Sequence, residues 1–192
     1  MKNTILTEDD YLQFYKAILY GKIDDVVFSS VKASYKDLCR TITGFAKEEN
    51  HDQIYESSVK YLVEQIKSLL NITLKTQDEF DSWHKQCCDN LIDIFKPQKF
   101  YYGQAQKWIN MSLKNLSMLN HKMVKNNYEF FHVPLDNFIF KETGKKTSVS
   151  WSKINDYEEY LHYQIWFRKT YDGIPVDIEF KMWLKASRNI DA

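Results

Sequence analysis

Nearly every long segment of this chain repeats its apolar residues at every third or fourth position, and few residues interrupt that rhythm. Five Gly and three Pro are spread over 192 residues. That is too few for the frequent turns of a sandwich or barrel. The periodicity therefore predicts an all-α fold, a compact bundle of seven to eight helices. Length allows one domain over residues 1–192, with two tight helical lobes, 1–96 and 97–192, and a cleft between them as its natural subdivision. Hydrophobic residues make up 44% of the chain and aromatics 16%, enough to build a core without disulfides or metal.

Local signals place the helices. Thr7 caps a first one, with Glu8, Asp9 and Asp10 in its first turn, Leu12, Tyr15, Ile18 and Leu19 as its stripe and Gly21 as its stop. A second is expected over 24–45 with Val27, Val31, Tyr35, Leu38 and Ile42 on one face. A polar loop over 47–53 follows, then a helix carrying Ile54, Leu62, Ile66 and Leu69. Thr76 and Glu79 form a capping box for the next, which buries Phe80, Trp83, Cys87, Leu91 and Ile94. The central helix is read over 104–120, with Ala105, Ile109, Leu113 and Leu116 facing the core and Lys107, Asn110 and Lys114 turned away. Ser150 or Ser152 caps a helix with the stripe Ile154, Tyr157, Leu161, Ile165 and Arg168. Pro175 opens the last one, whose face is Val176, Phe180, Trp183 and Leu184.

Charge and cysteine content narrow the function classes. Lys+Arg and Asp+Glu are both 26, so a protein coating nucleic acid without sequence preference is disfavoured, although DNA and protein partners both stay open. Three cysteines, two of them adjacent (Cys87 and Cys88), make no disulfide framework and point to a reducing cytoplasm. No apolar run reaches the length of a membrane span. No His pair, Cys/His spacing or Gly-rich phosphate loop is present, so neither metal nor cofactor is expected. Cys87, Cys88 and His84 read as packed core residues.

Two stretches suggest chemistry: Tyr101-Tyr102-Gly103-Gln104-Ala105-Gln106-Lys107-Trp108, which opens the central helix, and His132-Val133-Pro134-Leu135-Asp136 some 25 residues on. Together they resemble a degenerate form of the pattern in the helix-hairpin-helix DNA glycosylase superfamily, more narrowly the lysine-bearing 8-oxoguanine DNA glycosylases. There a glycine-containing hairpin precedes a helix whose lysine is the nucleophile, and a Val-Pro-Val-Asp-like stretch supplies an aspartate. The resemblance covers roughly residues 97–140, and Pro175-Val176-Asp177 through Trp183 is similar to a closing helix of some members. It implies Lys107 as nucleophile, Asp136 as its carboxylate and Gly103 in the hairpin. The four-cysteine iron–sulfur version is excluded. A lysine amine that has lost its proton attacks sugar C1′, a carboxylate stabilises the charge that develops there, and aromatic side chains stack on the extruded base. Tyr101, Tyr102, Gly103, Gln104, Trp108, Asn110, Phe131 and His132 are the corresponding substrate-binding candidates.

Two further groups of residues stand out. The amides Gln104, Gln106, Asn110 and Asn115 read bases or bond neighbouring backbone; the second is expected for all but Gln104. Tyr157, Tyr160, His162, Tyr163, Trp166 and Arg168 suit stacking on nucleic acid or a protein interface. Two functions follow: a glycosylase or glycosylase/lyase acting on modified or flipped-out bases in DNA repair or phage defence, and a non-catalytic helical interaction module of a mobile-element or phage-related system. A charged cleft holding both Lys107 and Asp136 favours the first, and a buried setting for either favours the second.

Overall fold

The computed structural model describes residues 7–21 and 25–188. Among them lie eight α-helices and no strand, as the periodicity predicts. They are α1 (Glu8–Tyr20), α2 (Val26–Tyr35), α3 (His51–Leu70), α4 (Gln77–Phe95), α5 (Tyr102–Val124), α6 (Asn137–Thr143), α7 (Tyr157–Thr170) and α8 (Pro175–Arg188). Thr7 and Thr76 each close a capping box, on α1 and α4.

The second helix is shorter than expected. It starts after Asp25, whose side chain accepts from the amides of Val27 and Phe28, and it ends at Tyr35. The predicted start at Asp24 lies outside the described residues. Past Tyr35 the chain continues through two 3-10 turns, Cys39–Thr41 and Phe45–Lys47. Leu38, Ile42 and Phe45 are still buried, so the apolar spacing survived while the helix did not. Ile42, at φ −89° and ψ 83°, and Gly44, at φ 81°, keep it from resuming, the second a conformation that suits glycine. The predicted 47–53 loop is also shorter, because α3 begins at His51.

α5 is the axis of the molecule. It spans 23 residues, about 35 Å, and leaves helical geometry at Asn120, where the sequence placed its end. α2, α3, α4 and α7 pack around it, and the Trp151–Lys153 turn crosses its first turn. Trp108 is fully buried at the centre of this arrangement. Its indole donates to Val31 O at 2.9 Å and lies parallel to the Tyr55 ring. Burying a side chain of this size contributes about 2–3 kcal/mol. The buried apolar residues of α2 to α8 form one continuous core.

Three predicted faces differ from the observed ones. α7 is capped by Asp156, not by Ser150 or Ser152, and it buries Tyr157, Tyr160, Gln164 and Phe167, with Ile165 39% exposed. Its inner face is partly polar, which a search for apolar residues alone misses. α8 buries Val176 and Glu179 and leaves Trp183 and Leu184 about half exposed. The stripe predicted for α1 faces outward: Leu12, Tyr15, Ile18 and Leu19 are 51–63% exposed.

Candidate functional site

The polar residues of α5 from Gln104 to Ser117 do not face solvent. Gln104, Gln106, Lys107, Asn110, Lys114 and Asn115 are all buried, at 7% exposure or less. This corrects the expectation that Lys107, Asn110 and Lys114 turn away from the protein. A helix enclosed on all sides must satisfy every polar group internally, and α5 does so with two ion pairs and a network of amides.

Lys107 and Asp136, 29 positions apart, meet. Lys107 Nζ donates to Asp136 Oδ2 at 2.6 Å. The other carboxylate oxygen, Oδ1, accepts from Ile139 N at 2.9 Å and caps α6. Asp136 is thus held from both sides. Its side chain is 26% exposed and that of Lys107 is 6% exposed, so the aspartate is the member of the pair that solvent reaches. Two turns along the same face of α5, Lys114 Nζ lies 2.5 Å from Glu179 Oε2 of α8 and 4.5 Å from the centre of the Phe180 ring. Lys114 is the partner of that buried oxygen, and the contact is a buried ion pair. Burial pushes the Glu179 carboxyl above its usual range, and the Lys114 ammonium opposes that rise.

The remaining predicted substrate residues lie in different surroundings. Gly103 does not present a free hairpin backbone: its N–H donates to Ile154 O at 3.0 Å. A Cβ placed on it would sit 1.8 Å from Trp151 O, so the glycine is required by the turn packed across it. Gln104 Nε2 donates to Thr41 O and its Oε1 accepts from Tyr101 N. Its amide bonds backbone as those of Gln106 and Asn110 do, whereas Asn115 bonds the side chains of Ser34 and Tyr20. Tyr102 OH donates to Asp89. Trp108, Asn110, Phe131 and His132 are 2% exposed or less. Tyr101 and Gln104 line a polar groove of about 350 Å³ with Thr41, Thr43, Lys99 and Lys153. Lys107 and Asp136 are not on its wall.

A buried polar chain that no sequence motif signals links α4, α5, α7 and the extended segment 131–135. The partners of each group assign its hydrogens. His132 Nε2–H donates to Asp81 Oδ1 at 2.8 Å, so His132 Nδ1 accepts from Tyr160 OH, also at 2.8 Å. Tyr160 OH in turn accepts from Asn110 Nδ2 at 2.9 Å. Asn110 Oδ1 accepts from His84 Nε2–H at 3.1 Å, and His84 Nδ1 faces Tyr157 OH at 3.0 Å and Cys88 Sγ at 3.7 Å. The four bonds from His84 to Asp81 run in one direction, towards the Asp81 carboxylate. Burial holds both imidazoles below their ordinary pKa, and the His132 ring adds to the effect on His84.

Two glutamines serve the same segment as strands would. Gln164 accepts from Val133 N and donates to Val133 O, and Gln106 accepts from Leu135 N and donates to Leu135 O. Arg168 donates to the carbonyls of Glu129, Phe130 and Phe131. Three of the residues considered for stacking on nucleic acid, Tyr157, Tyr160 and Arg168, are engaged inside the protein. Among the described residues, no group of three or more His, Cys, Asp or Glu is placed to hold a metal ion, and no helix is long and apolar enough to cross a membrane.

Comparison with protein families, with curated proteins and with solved structures returns no match to this chain.

Proposed function

We propose that this protein is a non-catalytic helical interaction module whose docking surface is the outward apolar face of α1. One observation carries the reading. Leu12, Phe14, Tyr15, Ile18 and Leu19 are each more than half exposed, while the half-buried side chains of α1 are Lys16 and Tyr20. Single exposed apolar residues are ordinary, but five on one helix of 13 residues form the kind of patch that marks a contact site. The burial of Lys107 also favours a module over an enzyme. The test uses paired baits, wild type and Leu12→Glu/Ile18→Glu. The expected result is a protein that the wild type retains, the variant loses, and a purified pair reproduces. Equal retention of every captured protein by both baits overturns the reading.

A second reading, lysine-dependent base excision on DNA, is favoured by a different observation: the 2.6 Å contact of Lys107 with Asp136. In that chemistry Asp136 takes a proton from the ammonium. The freed amine bonds to sugar C1′ while the C1′–N bond breaks, and the base leaves with the bonding pair and gains a proton. Asp136, the more open member, must release the lysine first. The C1′–O4′ bond then opens, O4′ taking the bonding pair and a proton while the nitrogen lone pair forms the imine, and borohydride reduces that imine to a stable amine, so a duplex carrying an oxidised purine is trapped on the wild type and not on Lys107→Ala. Failure to trap on any lesion or abasic site, together with no DNA affinity at low salt, removes this reading.

A further inference from the structure

We infer that the partner of the α1 surface is a second copy of this chain, with the two α1 helices packed antiparallel about a two-fold axis. The inference rests on the docking role of α1 proposed above and names its occupant.

The patch has a direction. Its acidic end is the first turn of α1, with Glu8, Asp9 and Asp10. Its other end, at Ile18 and Leu19, opens into a groove of about 650 Å³ whose wall includes Phe28, Lys32 and Lys36. Phe28 is itself 43% exposed, and Lys32 Nζ lies 5.2 Å from its ring centre. The groove continues between α2 and α3 as a second one of about 530 Å³, which shares Phe28, Lys32 and Tyr55 with the first. One copy therefore has acid at one end of the apolar helix and base at the other. Antiparallel pairing sets the acidic first turn of each α1 against the lysines beside the partner's last turn. Two-fold symmetry makes that match twice, which is the requirement of an isologous interface.

Size and total charge agree with this. A large apolar or aromatic side chain presents roughly 150–250 Å² when fully open. At the observed exposures the five α1 residues and Phe28 offer on the order of 600–700 Å² per copy, close to the roughly 800 Å² per partner of a standard interface. Lysines and arginines equal the acids in number, so two copies carry no net repulsion. A membrane surface suits the same face poorly. Its first turn holds three carboxylates and its last turn no base, the reverse of what anionic lipid attracts.

The test is sedimentation equilibrium of the full chain, in which the expected species has twice the mass of the 23.0 kDa chain. Leu12→Glu/Ile18→Glu should weaken self-association by on the order of 100-fold. Lys32→Glu leaves the α1 sequence intact and should weaken it about fivefold to tenfold, as should Glu8→Lys. An equimolar mixture of Lys32→Glu and Glu8→Lys chains should recover part of the loss by pairing unlike charges. Far-ultraviolet circular dichroism equal to wild type confirms that each variant is folded. A wild type that stays monomeric at about 100 μM overturns the self-pairing, because a specific interface of this size binds more tightly than that. A dimer indifferent to the α1 and Lys32 substitutions also overturns it. Neither result touches the docking role of α1, which fails separately if no purified partner distinguishes the paired baits.

Discussion

Asp136 is the residue at which removing a charge and removing a helix cap can be measured apart. One carboxylate oxygen pairs with Lys107 and the other caps α6 at Ile139 N. Asp136→Asn keeps a good cap, because Asn caps helices as well as Asp does, and deletes only the charge. Lys107, at 6% side-chain exposure, is then a nearly buried ammonium without its bonded counter-charge, and the Asp37 and Glu179 carboxylates act on it only from further off. Breaking a buried pair on one side costs about 3–5 kcal/mol. The 26% exposure of Asp136 lets water reach the vacated position, so about 2–3 kcal/mol is expected. Asp136→Ala adds the lost cap, about 1 kcal/mol more. Lys107→Met leaves a partly hydrated carboxylate that still caps α6 and should cost only about 1 kcal/mol. Asp136→Asn/Lys107→Met should therefore be more stable than Asp136→Asn alone, because the stranded charge is gone. Urea unfolding followed by helical circular dichroism measures all four. The reasoning is refuted if Asp136→Asn unfolds at the wild-type midpoint, or if the double variant is as unstable as the sum of the singles.

Three further outcomes follow from the geometry. His84 and His132 are held neutral by burial, their folded pKa lying below the ordinary 6.5, so the unfolded chain binds more protons in mild acid. Stability is full above the unfolded pKa and falls as pH drops through it, by up to about 1.3 kcal/mol for His84 between about pH 7 and about pH 5.5 and by less for His132, whose Asp81 partner opposes the shift; urea midpoints unchanged over that range would contradict the assignment. Gly103→Ala forces a methyl group to within 1.8 Å of Trp151 O, and the expected outcome is a loss of at least about 3 kcal/mol in chemical denaturation, since the obstacle is backbone. Tyr160→Phe strands the acceptor nitrogen of His132, while Asn110 Nδ2 keeps Gln106 Oε1 and Val133 O, at a cost of about 1–2 kcal/mol, and it should shift the His132 ring resonances in nuclear magnetic resonance while leaving those of the exposed His162 in place.

The sequence determined which segments are helical, because that depends on local spacing and local caps. Thr7 and Thr76 begin helices by bonding amides three residues away, and the apolar period of α3, α4 and α5 is visible in any short window. It also brought Lys107 and Asp136 to notice together, and they are in contact. What surrounds a helix is not a local property. The polar side of α5 reads as a solvated face, yet α8, the 131–135 segment and the Trp151–Lys153 turn enclose it, and only the fold supplies Glu179, Val133, Leu135 and Thr41 as partners. The order from His84 to Asp81 joins residues up to 51 positions apart, so no spacing rule reveals it. α1 shows the converse. Its apolar stripe is plain in the sequence, but a stripe states only that a helix has something to bury, and among the described residues the tertiary structure leaves that face exposed.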